Sequence, residues 1–309
     1  MAHEIEKSDL LSPKGGLVAA VLSDLVLDQL YDPTDLSALM RFVPWNPQGS
    51  GTMDVTLDAT PGAYTARTSE IVGTNIANSD WDSLRFSLTP AGYSRRYQVT
   101  DLIPISGGPV QLEAVAAKLV QGVGITITDL LCALFPALAN DVGPGTGVDL
   151  DVSSMYDAIF QLNSQSVPGP FAAVLYPTQF NDFQSSLRSE AGAAQFQPAT
   201  ADLLALRGPG FKGTWNGVQL WQSDSVTAVG GGADSSGAMF GAGCFAYTLA
   251  NAQLAAGIIP ESMRYMSNAA MVIEINRDQT NFMTALIASI FPSVVEAEDL
   301  RGVEIISDR

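Results

Sequence analysis

Few residues in this chain of 309 residues have types and spacings suited to catalysis. The one histidine, His3, lies in a polar N-terminal stretch, so the sequence offers no base for a Ser-His-Asp or Cys-His arrangement. The two cysteines, Cys132 and Cys244, lie among apolar residues and are too few for a zinc cluster or a disulfide framework. We therefore predict unreactive core thiols and no enzyme that depends on histidine or cysteine.

Carboxylates are the remaining candidates for chemistry. Asp80 and Asp82, or Asp149 and Asp151, could help to bind calcium, but neither pair has the spacing of a complete cation-binding loop. The glycine-rich stretches at 143–147 and 230–237 lack a GKS or GKT ending and a G-x-G-x-x-G fingerprint, so they indicate turns rather than phosphate sites. We therefore predict no catalytic, cofactor-binding or metal-binding residues. An acidic hydrolase or a lectin-like module that uses loop carboxylates is kept as an alternative.

The composition favours self-association. The 32 acidic and 15 basic residues give a net charge of -17, so the chain lacks the clustered Lys and Arg that grip nucleic-acid phosphates. Mean hydropathy is high, at +0.18, with only 15% charged residues. The longest nearly apolar run, Leu130 to Ala139, is nevertheless far shorter than the roughly 18 residues that span a membrane. The apolar excess is therefore expected to be buried against protein, including other copies of this chain.

A long helix is predicted from Pro109 to Phe135. Pro109 suits the first turn of a helix, and Pro136 ends or kinks it. The two glycines within it, Gly122 and Gly124, favour a bend. Apolar residues recur at spacings of three or four and predict one buried stripe, made of Val115, Leu119, Val123, Ile127, Leu130 and Leu134.

The region before this helix predicts a hairpin with a long connection. A polar arm and an amphipathic helix over Leu17–Tyr31 come first. Alternating residues then predict two antiparallel strands, over Thr52–Asp58 and Arg85–Leu102. The loop between them, Ala59–Ser83, has too few large apolar residues for a core, so we interpret it as an arm that reaches a neighbouring subunit. Arg67 and Glu70 are its candidate polar anchors, with plain solvation of both, or a surface loop, as the alternative.

The region after the long helix predicts an α/β layer. Turn residues at Asn140–Gly147 mark a boundary, and Asn216-Gly217 between alternating residues marks a tight hairpin. The predicted elements are a helix over Ser154–Leu162, a strand over Phe171–Tyr176, a helix over Thr178–Arg188, strands over Ala238–Leu249 and Ala270–Asn276, a helix over Asn281–Ile290 and a strand over Val303–Ile306.

This layout resembles the major capsid proteins of tailed double-stranded DNA bacteriophages, which have the Hong Kong 97-type fold. The order of elements is similar along nearly the whole chain. The local sequence is similar too, in AAVLYPTQFNDFQ at 172–184, GTWNGVQLWQSDSVTA at 213–228, GAMFGAGCFAYTLA at 237–250 and RGVEI at 301–305.

The resemblance implies an α+β fold with an N-terminal arm, an E-loop hairpin, a long spine helix, and peripheral and axial domains. The arm and a short helix would occupy 1–30 and the E-loop 52–100. The peripheral domain, with the spine helix, would combine 31–51, 101–141 and 263–309, and the axial domain would cover 142–262. The implied function is structural and not enzymatic: copies assemble into hexamers and pentamers of an icosahedral head around double-stranded DNA.

The resemblance also implies a setting and a set of partners. The protein would be part of the virion and would assemble in the host cytoplasm, with portal, scaffolding and decoration proteins as partners, weak contact with the packaged DNA and no membrane. No secretory signal precedes the first helix, and no helical prodomain does either, which implies a separate scaffolding protein or none, with Met1 taken as the initiator.

Two features of the family can be examined on these residues. Some members cross-link through an E-loop lysine, but the lysines here are Lys7, Lys14, Lys118 and Lys212, so we expect no such cross-link. The related alternative is an encapsulin shell, which resembles the same fold and encloses cargo enzymes.

Overall fold

The computed structural model describes residues 36–46, 51–58, 83–100, 122–189, 196–250, 264–267, 271–278 and 283–309. Several predictions lie outside these residues. They are the helix over Leu17–Tyr31, the loop residues 59–82 with Arg67 and Glu70, and the first half of the long helix.

The described residues form a mixed α and β structure, as the sequence predicts. The helices are α1 (122–132), α2 (Val152–Ser164), α3 (Pro177–Ser189) and α4 (Ala201–Arg207). The strands are β1 (Arg41–Phe42), β2 (Met53–Asp58), β3 (Ser83–Leu88), β4 (Tyr93–Thr100), β5 (Asp141–Val142), β6 (Ala172–Leu175), β7 (Phe196–Pro198), β8 (Phe211–Trp215), β9 (Val218–Gln222), β10 (Ala228–Val229), β11 (Asp234–Phe240), β12 (Phe245–Leu249), β13 (Arg264–Ser267), β14 (Met271–Asp278), β15 (Met283–Ile290), β16 (Pro292–Glu296) and β17 (Gly302–Asp308). Short 3-10 turns occupy Leu36–Leu39, Phe135–Ala137, Gly230–Gly232 and Asp299–Arg301.

An eight-stranded sheet lies at the centre of the described structure. Its strands follow the order β5-β17-β11-β6-β9-β8-β7, and β10 pairs with β11 outside this path. The β6–β9 and β5–β17 pairs are parallel, and the other pairs are antiparallel. All seven residues of β11 are buried, because this strand has neighbours on both sides and packing on both faces.

The large sheet separates two hydrophobic cores. Along β6, alternate residues point to opposite sides, so Ala173 and Leu175 enter one core and Val174 enters the other. The α2/α3 core consists of Leu150, Val152, Met155, Ala158, Leu162, Val167, Phe171, Ala173, Leu175, Phe180, Phe183, Leu187, Trp215, Val218, Leu220, Met239, Val303 and Ile305. The α1 core consists of Leu36, Met40, Val123, Ile127, Leu131, Cys132, Phe135, Leu138, Ala172, Val174, Phe211, Trp221, Val226, Ala238, Phe240, Cys244, Phe245, Met271, Ile273, Leu286, Ala288 and Ile290.

The predicted helix–strand–helix layer is confirmed by α2, β6 and α3. Asp151 caps α2, because its carboxylate accepts hydrogen bonds from the backbone N–H (2.8 Å) and the hydroxyl (2.5 Å) of Ser154. The predicted hairpin is also confirmed. Asn216 and Gly217 have φ values of 48° and 81°, as a two-residue type I′ turn requires, and they connect the paired residues Trp215 and Val218.

Three sequence predictions about these elements are wrong. The predicted helix over Asn281–Ile290 is the strand β15, which is paired with β14 on one side and β4 on the other. The predicted strand Arg85–Leu102 is two strands, of which β3 pairs with β2 and β4 pairs with β15. The predicted strand Ala238–Leu249 is also two, because β11 ends at Phe240 and β12 begins after a turn in a different sheet.

The buried side of α1 differs from the predicted stripe. Val123 and Ile127 are buried as predicted, but Leu131 is 0% exposed while Leu130 is half-buried. The stripe therefore continues through Leu131 rather than Leu130. The α-helix ends at residue 132, and Pro136 lies in the first residues of the following 3-10 turn, which is consistent with its missing N–H.

The position of the stripe generates a test. Leu131→Ala should lower the free energy of unfolding by about 2 to 5 kcal/mol, because it leaves a cavity in the α1 core. Leu130→Ala, one residue away, should cost no more than about 1 kcal/mol. Urea denaturation of the two variants gives both values, and equal losses would contradict the assignment.

Candidate assembly surfaces

The two cysteines are placed as the sequence predicts, in the α1 core. Both Cys132 and Cys244 are 0% exposed and unpaired. Burial raises the pKa of the Cys132 thiol to about 12, and the negative charge of Asp129 adds to this shift. Burial also raises the pKa of Cys244. Neither thiol can act as a nucleophile at neutral pH, because the thiolate is the reactive form.

Asp149 and Asp151 lie beside an open depression of about 410 Å³, together with Asp182 and three serines. Partial burial raises the pKa of Asp182, and the negative charges of Asp149 and Asp308 add to this shift. Two residues that line the depression stabilise the start of α2. Asp151 is the N-cap of this helix, and the Ser186 hydroxyl accepts a hydrogen bond from the Val152 N–H (3.2 Å). In the described ranges, no group of three or more His, Cys, Asp or Glu side chains could hold a metal ion. Asp80 and Asp82 lie outside the described residues.

The two glycine-rich turns converge on one buried carboxylate. In the turn at 143–147, Gly145 and Gly147 have φ values of 91° and 70°, and the Gly147 N–H donates a hydrogen bond to Asp234 Oδ1 (2.7 Å). In the turn that precedes β11, Gly230 has a φ of 62°, and a Cβ there would collide with the Asp234 carboxylate. The backbone amide that could have faced a phosphate therefore faces a carboxylate of the protein itself. The stretch 143–147 is a turn as predicted, whereas the predicted turn at 230–237 is correct only up to residue 233, because β11 begins at Asp234.

Glu304 is a buried carboxyl group of the kind that often marks an active site. Burial raises its pKa, the negative charge of Asp141 adds to the shift, and a hydrogen bond from the Ser236 hydroxyl (2.5 Å) opposes it. Its backbone N–H donates to the Asn140 carbonyl (2.7 Å). Glu304 and Ser236 lie on the adjacent strands β17 and β11, so the contact joins two strands inside the sheet and does not face a cavity. We assign Glu304 a structural role.

The remaining candidate sites are exposed apolar surfaces. Two helices expose large apolar side chains in groups. On α2, Tyr156 and Phe160 lie one turn apart and are both exposed; on α4, Leu203, Leu204 and Leu206 are exposed. Other exposed large apolar residues are Phe42, Tyr93, Ile125, Val148 and Leu300.

Sequence reasoning missed these surfaces, although signals for them existed. Tyr156 and Phe160 are spaced i and i+4 beside the buried stripe of α2. The apolar surface of this helix is therefore wider than the stripe that faces the core. The α4 leucines lie in a stretch rich in Gly, Ala and Pro, 191–213, for which we predicted no helix, and neighbouring leucines in a helix of seven residues point in different directions. Arg67 and Glu70, the predicted anchors, lie outside the described residues.

No helix among the described residues is both long enough and apolar enough to cross a lipid bilayer.

The sequence matches no protein-family model, and no curated protein is similar to it at a significant level. Solved structures are similar in fold. The capsid of Ralstonia phage GP4 is 9% identical, with a TM-score of 0.61 over 89% of this chain and 91% of that one. The head structure of Helicobacter pylori bacteriophage KHP40 is 9% identical, with a TM-score of 0.57 over 90% and 91%.

A third similar structure is the holo-SrpI encapsulin complex from Synechococcus elongatus PCC 7942. It is 14% identical, with a TM-score of 0.54 over 88% of this chain and 86% of that one. These likenesses cover most of each chain. The chain therefore has the α+β, Hong Kong 97-type capsid fold.

The raised pKa of Glu304 predicts a pH dependence. The folded state holds this proton more tightly than the unfolded chain, so wild-type stability falls as the pH rises from the ordinary glutamate range through the folded-state pKa. Glu304→Gln keeps an oxygen that accepts the Ser236 hydrogen bond, and its stability does not fall in this way because the amide does not titrate. The melting temperature of Glu304→Gln minus that of wild type should therefore be larger at about pH 7 than at about pH 4.

The matched control is Asn276→Gln at an exposed position of β14, which changes no titrating group and should change melting by a similar amount at both pH values. A Glu304→Gln difference that is independent of pH would refute the assignment.

Proposed function

We propose, from the capsid fold that the chain adopts, that this protein is the major capsid protein of a tailed double-stranded DNA bacteriophage. Copies of it assemble into hexamers and pentamers of an icosahedral head that encloses the DNA. The observation that carries this proposal is the match to phage capsid structures over about nine-tenths of both chains.

The surface chemistry supports a shell subunit. Two helices expose clustered apolar side chains, as expected of a protein that binds copies of itself. The net charge of -17 suits an inner wall that contacts packaged DNA weakly, because a basic wall would bind the phosphates and resist movement of the DNA.

The role is structural and not enzymatic. Three of the described carboxylates are held in structural contacts: Asp151 caps a helix, Asp234 ties two turns together and Glu304 joins two strands. These three give no support to the alternative of an acidic hydrolase or lectin-like module.

The domains follow the pattern of the fold. We assign the N-terminal arm and short helix to 1–30, the E-loop to 52–100 and the axial domain to 142–262. The peripheral domain, with the spine helix, combines 31–51, 101–141 and 263–309. The setting is the virion, with assembly in the host cytoplasm, and the partners are portal, scaffolding and decoration proteins.

An encapsulin shell is the second candidate function, favoured by the likeness to the SrpI encapsulin. The two functions differ in what the particle contains. Particles isolated from their natural source would hold double-stranded DNA in the first case and cargo protein in the second, which nuclease digestion and mass spectrometry distinguish.

Assembly is the direct test of a shell function. The purified protein should form hexamers, pentamers or closed shells, which sediment far ahead of a monomer of 32.6 kDa and are visible by negative-stain microscopy. A protein that remains monomeric at high concentration, with or without co-expressed scaffolding protein, would refute both shell functions.

The long loop is proposed as an arm that contacts a neighbouring subunit through Arg67 and Glu70. Replacing residues 63–78 with a short Gly-Ser turn should leave the melting temperature nearly unchanged, because shortening a loop costs little entropy. Loss of about 1 to 2 kcal/mol at each repeated contact should abolish the fast-sedimenting particle. Arg67→Ala with Glu70→Ala should weaken assembly in the same direction.

The control is Arg188→Ala, an exposed arginine at the end of α3, which should leave assembly unchanged. Normal particles from the deletion variant would show that the arm is not an assembly element.

A further inference from the structure

Two exposed apolar patches on this chain differ in composition and location. The aromatic patch is Tyr156 and Phe160 on α2, and the leucine patch is Leu203, Leu204 and Leu206 on α4. The most exposed member of each, Phe160 and Leu206, is 71% and 76% exposed. Side chains of this size and exposure, grouped on helices, are typical of surfaces that bind protein.

The two helices that carry the patches each contact a different face of the large sheet. The Tyr156 ring packs on the Trp215 ring at 4.8 Å, and Trp215 belongs to the α2/α3 core. Arg207, the last residue of α4, places its guanidinium 4.9 Å from the centre of the Phe211 ring, and Phe211 belongs to the α1 core. Trp215 and Phe211 share β8, but a bulge between Phe211 and Gly213 turns them to opposite faces.

This arrangement decides how the patches can be covered by copies of the chain. One copy cannot bring its own two patches together across the sheet. Because two patches that face different directions cannot both meet one partner, a two-fold interface would cover only one patch, with the same patch of the partner. A head-to-tail interface pairs the two unlike patches and repeats around a ring. The head-to-tail interface covers both patches with a single kind of contact.

The charges beside the patches are complementary. Asp157 is exposed on α2 next to Tyr156, and Asp149, Asp151 and Asp182 lie near the start of the same helix. The leucine patch ends at Arg207, and Lys212 follows on β8; Asp202 is at the other end of α4. Opposite charges at the edge of an apolar contact favour one register and disfavour pairing of like patches.

We propose that the aromatic patch of one copy packs against the leucine patch of the next copy, with Asp157 facing Arg207, in a closed head-to-tail ring. This inference rests on the proposed shell function and names the surfaces through which neighbouring copies meet.

Cysteine cross-linking tests the pairing. The native thiols are buried, so a flexible bismaleimide should react only with introduced cysteines in the folded protein. In purified assembled protein, Phe160→Cys with Leu206→Cys should give a denaturing-gel ladder that ends at the ring size. Each single variant should remain at the monomer position. Phe160→Cys with Leu300→Cys, which uses an exposed leucine outside both patches, is the matched control and should give no ladder.

Charge reversal supplies an independent readout. Asp157→Arg should reduce the yield of assembled particles several-fold without lowering the melting temperature. Arg207→Asp should reduce the yield in the same way and also lower the melting temperature, because it loses the contact with the Phe211 ring. The double reversal should restore the yield of particles. Failure of the double reversal to recover assembly would refute the Asp157–Arg207 contact.

The outcomes separate this inference from the function on which it rests. If wild type assembles and the Phe160/Leu206 pair cross-links no better than the control, the pairing is wrong and the shell function stands. Dimers from Phe160→Cys alone would show a two-fold contact and overturn the head-to-tail arrangement. If wild type forms no oligomer, both the inference and the shell function are refuted.

Discussion

The amide side chain of Gln179 is the contact on which the centre of the fold depends. It is completely buried at the start of α3, where water cannot replace its partners, and each partner left without a hydrogen bond would cost about 1 to 3 kcal/mol. Its oxygen accepts from the Tyr176 N–H (3.0 Å), and its nitrogen donates to Ser235 O (2.9 Å), Ile305 O (3.2 Å) and Ser307 Oγ (2.9 Å). These hydrogen bonds join α3 to β11 and β17, so the helical layer, the middle of the sheet and the end of the chain form one unit.

Two glycines in β11 and β17 lie where an added side chain would meet close neighbours. A Cβ at Gly237 would lie 2.8 Å from Gln179 Oε1 and 2.9 Å from the Val174 carbonyl oxygen. A Cβ at Gly302, where β17 begins, would lie 2.8 Å from Cys244 Sγ. At Gly237 the Val174 carbonyl oxygen belongs to the paired strand β6, so a side chain there would push β11 away from β6. At Gly302 the neighbours are the side chains of Leu138 and Cys244, which would have to move in the α1 core. The sequence showed glycine at both positions, but nothing local indicated which glycines the packing requires.

The elements that could be predicted are those whose signals are local. The cap at Asp151 and the Asn216-Gly217 turn act within a few residues, so α2 and the hairpin were correctly predicted. The β15 segment, MTALIASI, has residues that favour a helix in isolation, and pairing with two distant strands overrides that preference. In α1, apolar residues occupy adjacent positions such as Leu130 and Leu131, so periodicity could not fix the buried side.

The candidate surfaces were harder to predict, because an exposed apolar residue is recognised only after the cores are complete. Leu162 and Phe160 are both apolar residues of α2, and only the packing of the sheet shows that the first is buried and the second exposed. Since the cores close within one copy, with residues such as Trp215 fully buried, the exposed patches add little to the stability of a subunit. In the proposed shell, folding and assembly would therefore be separate steps with separate contacts. Weak contacts can break and re-form while such a shell is built, and they would become stable through repetition around the proposed ring.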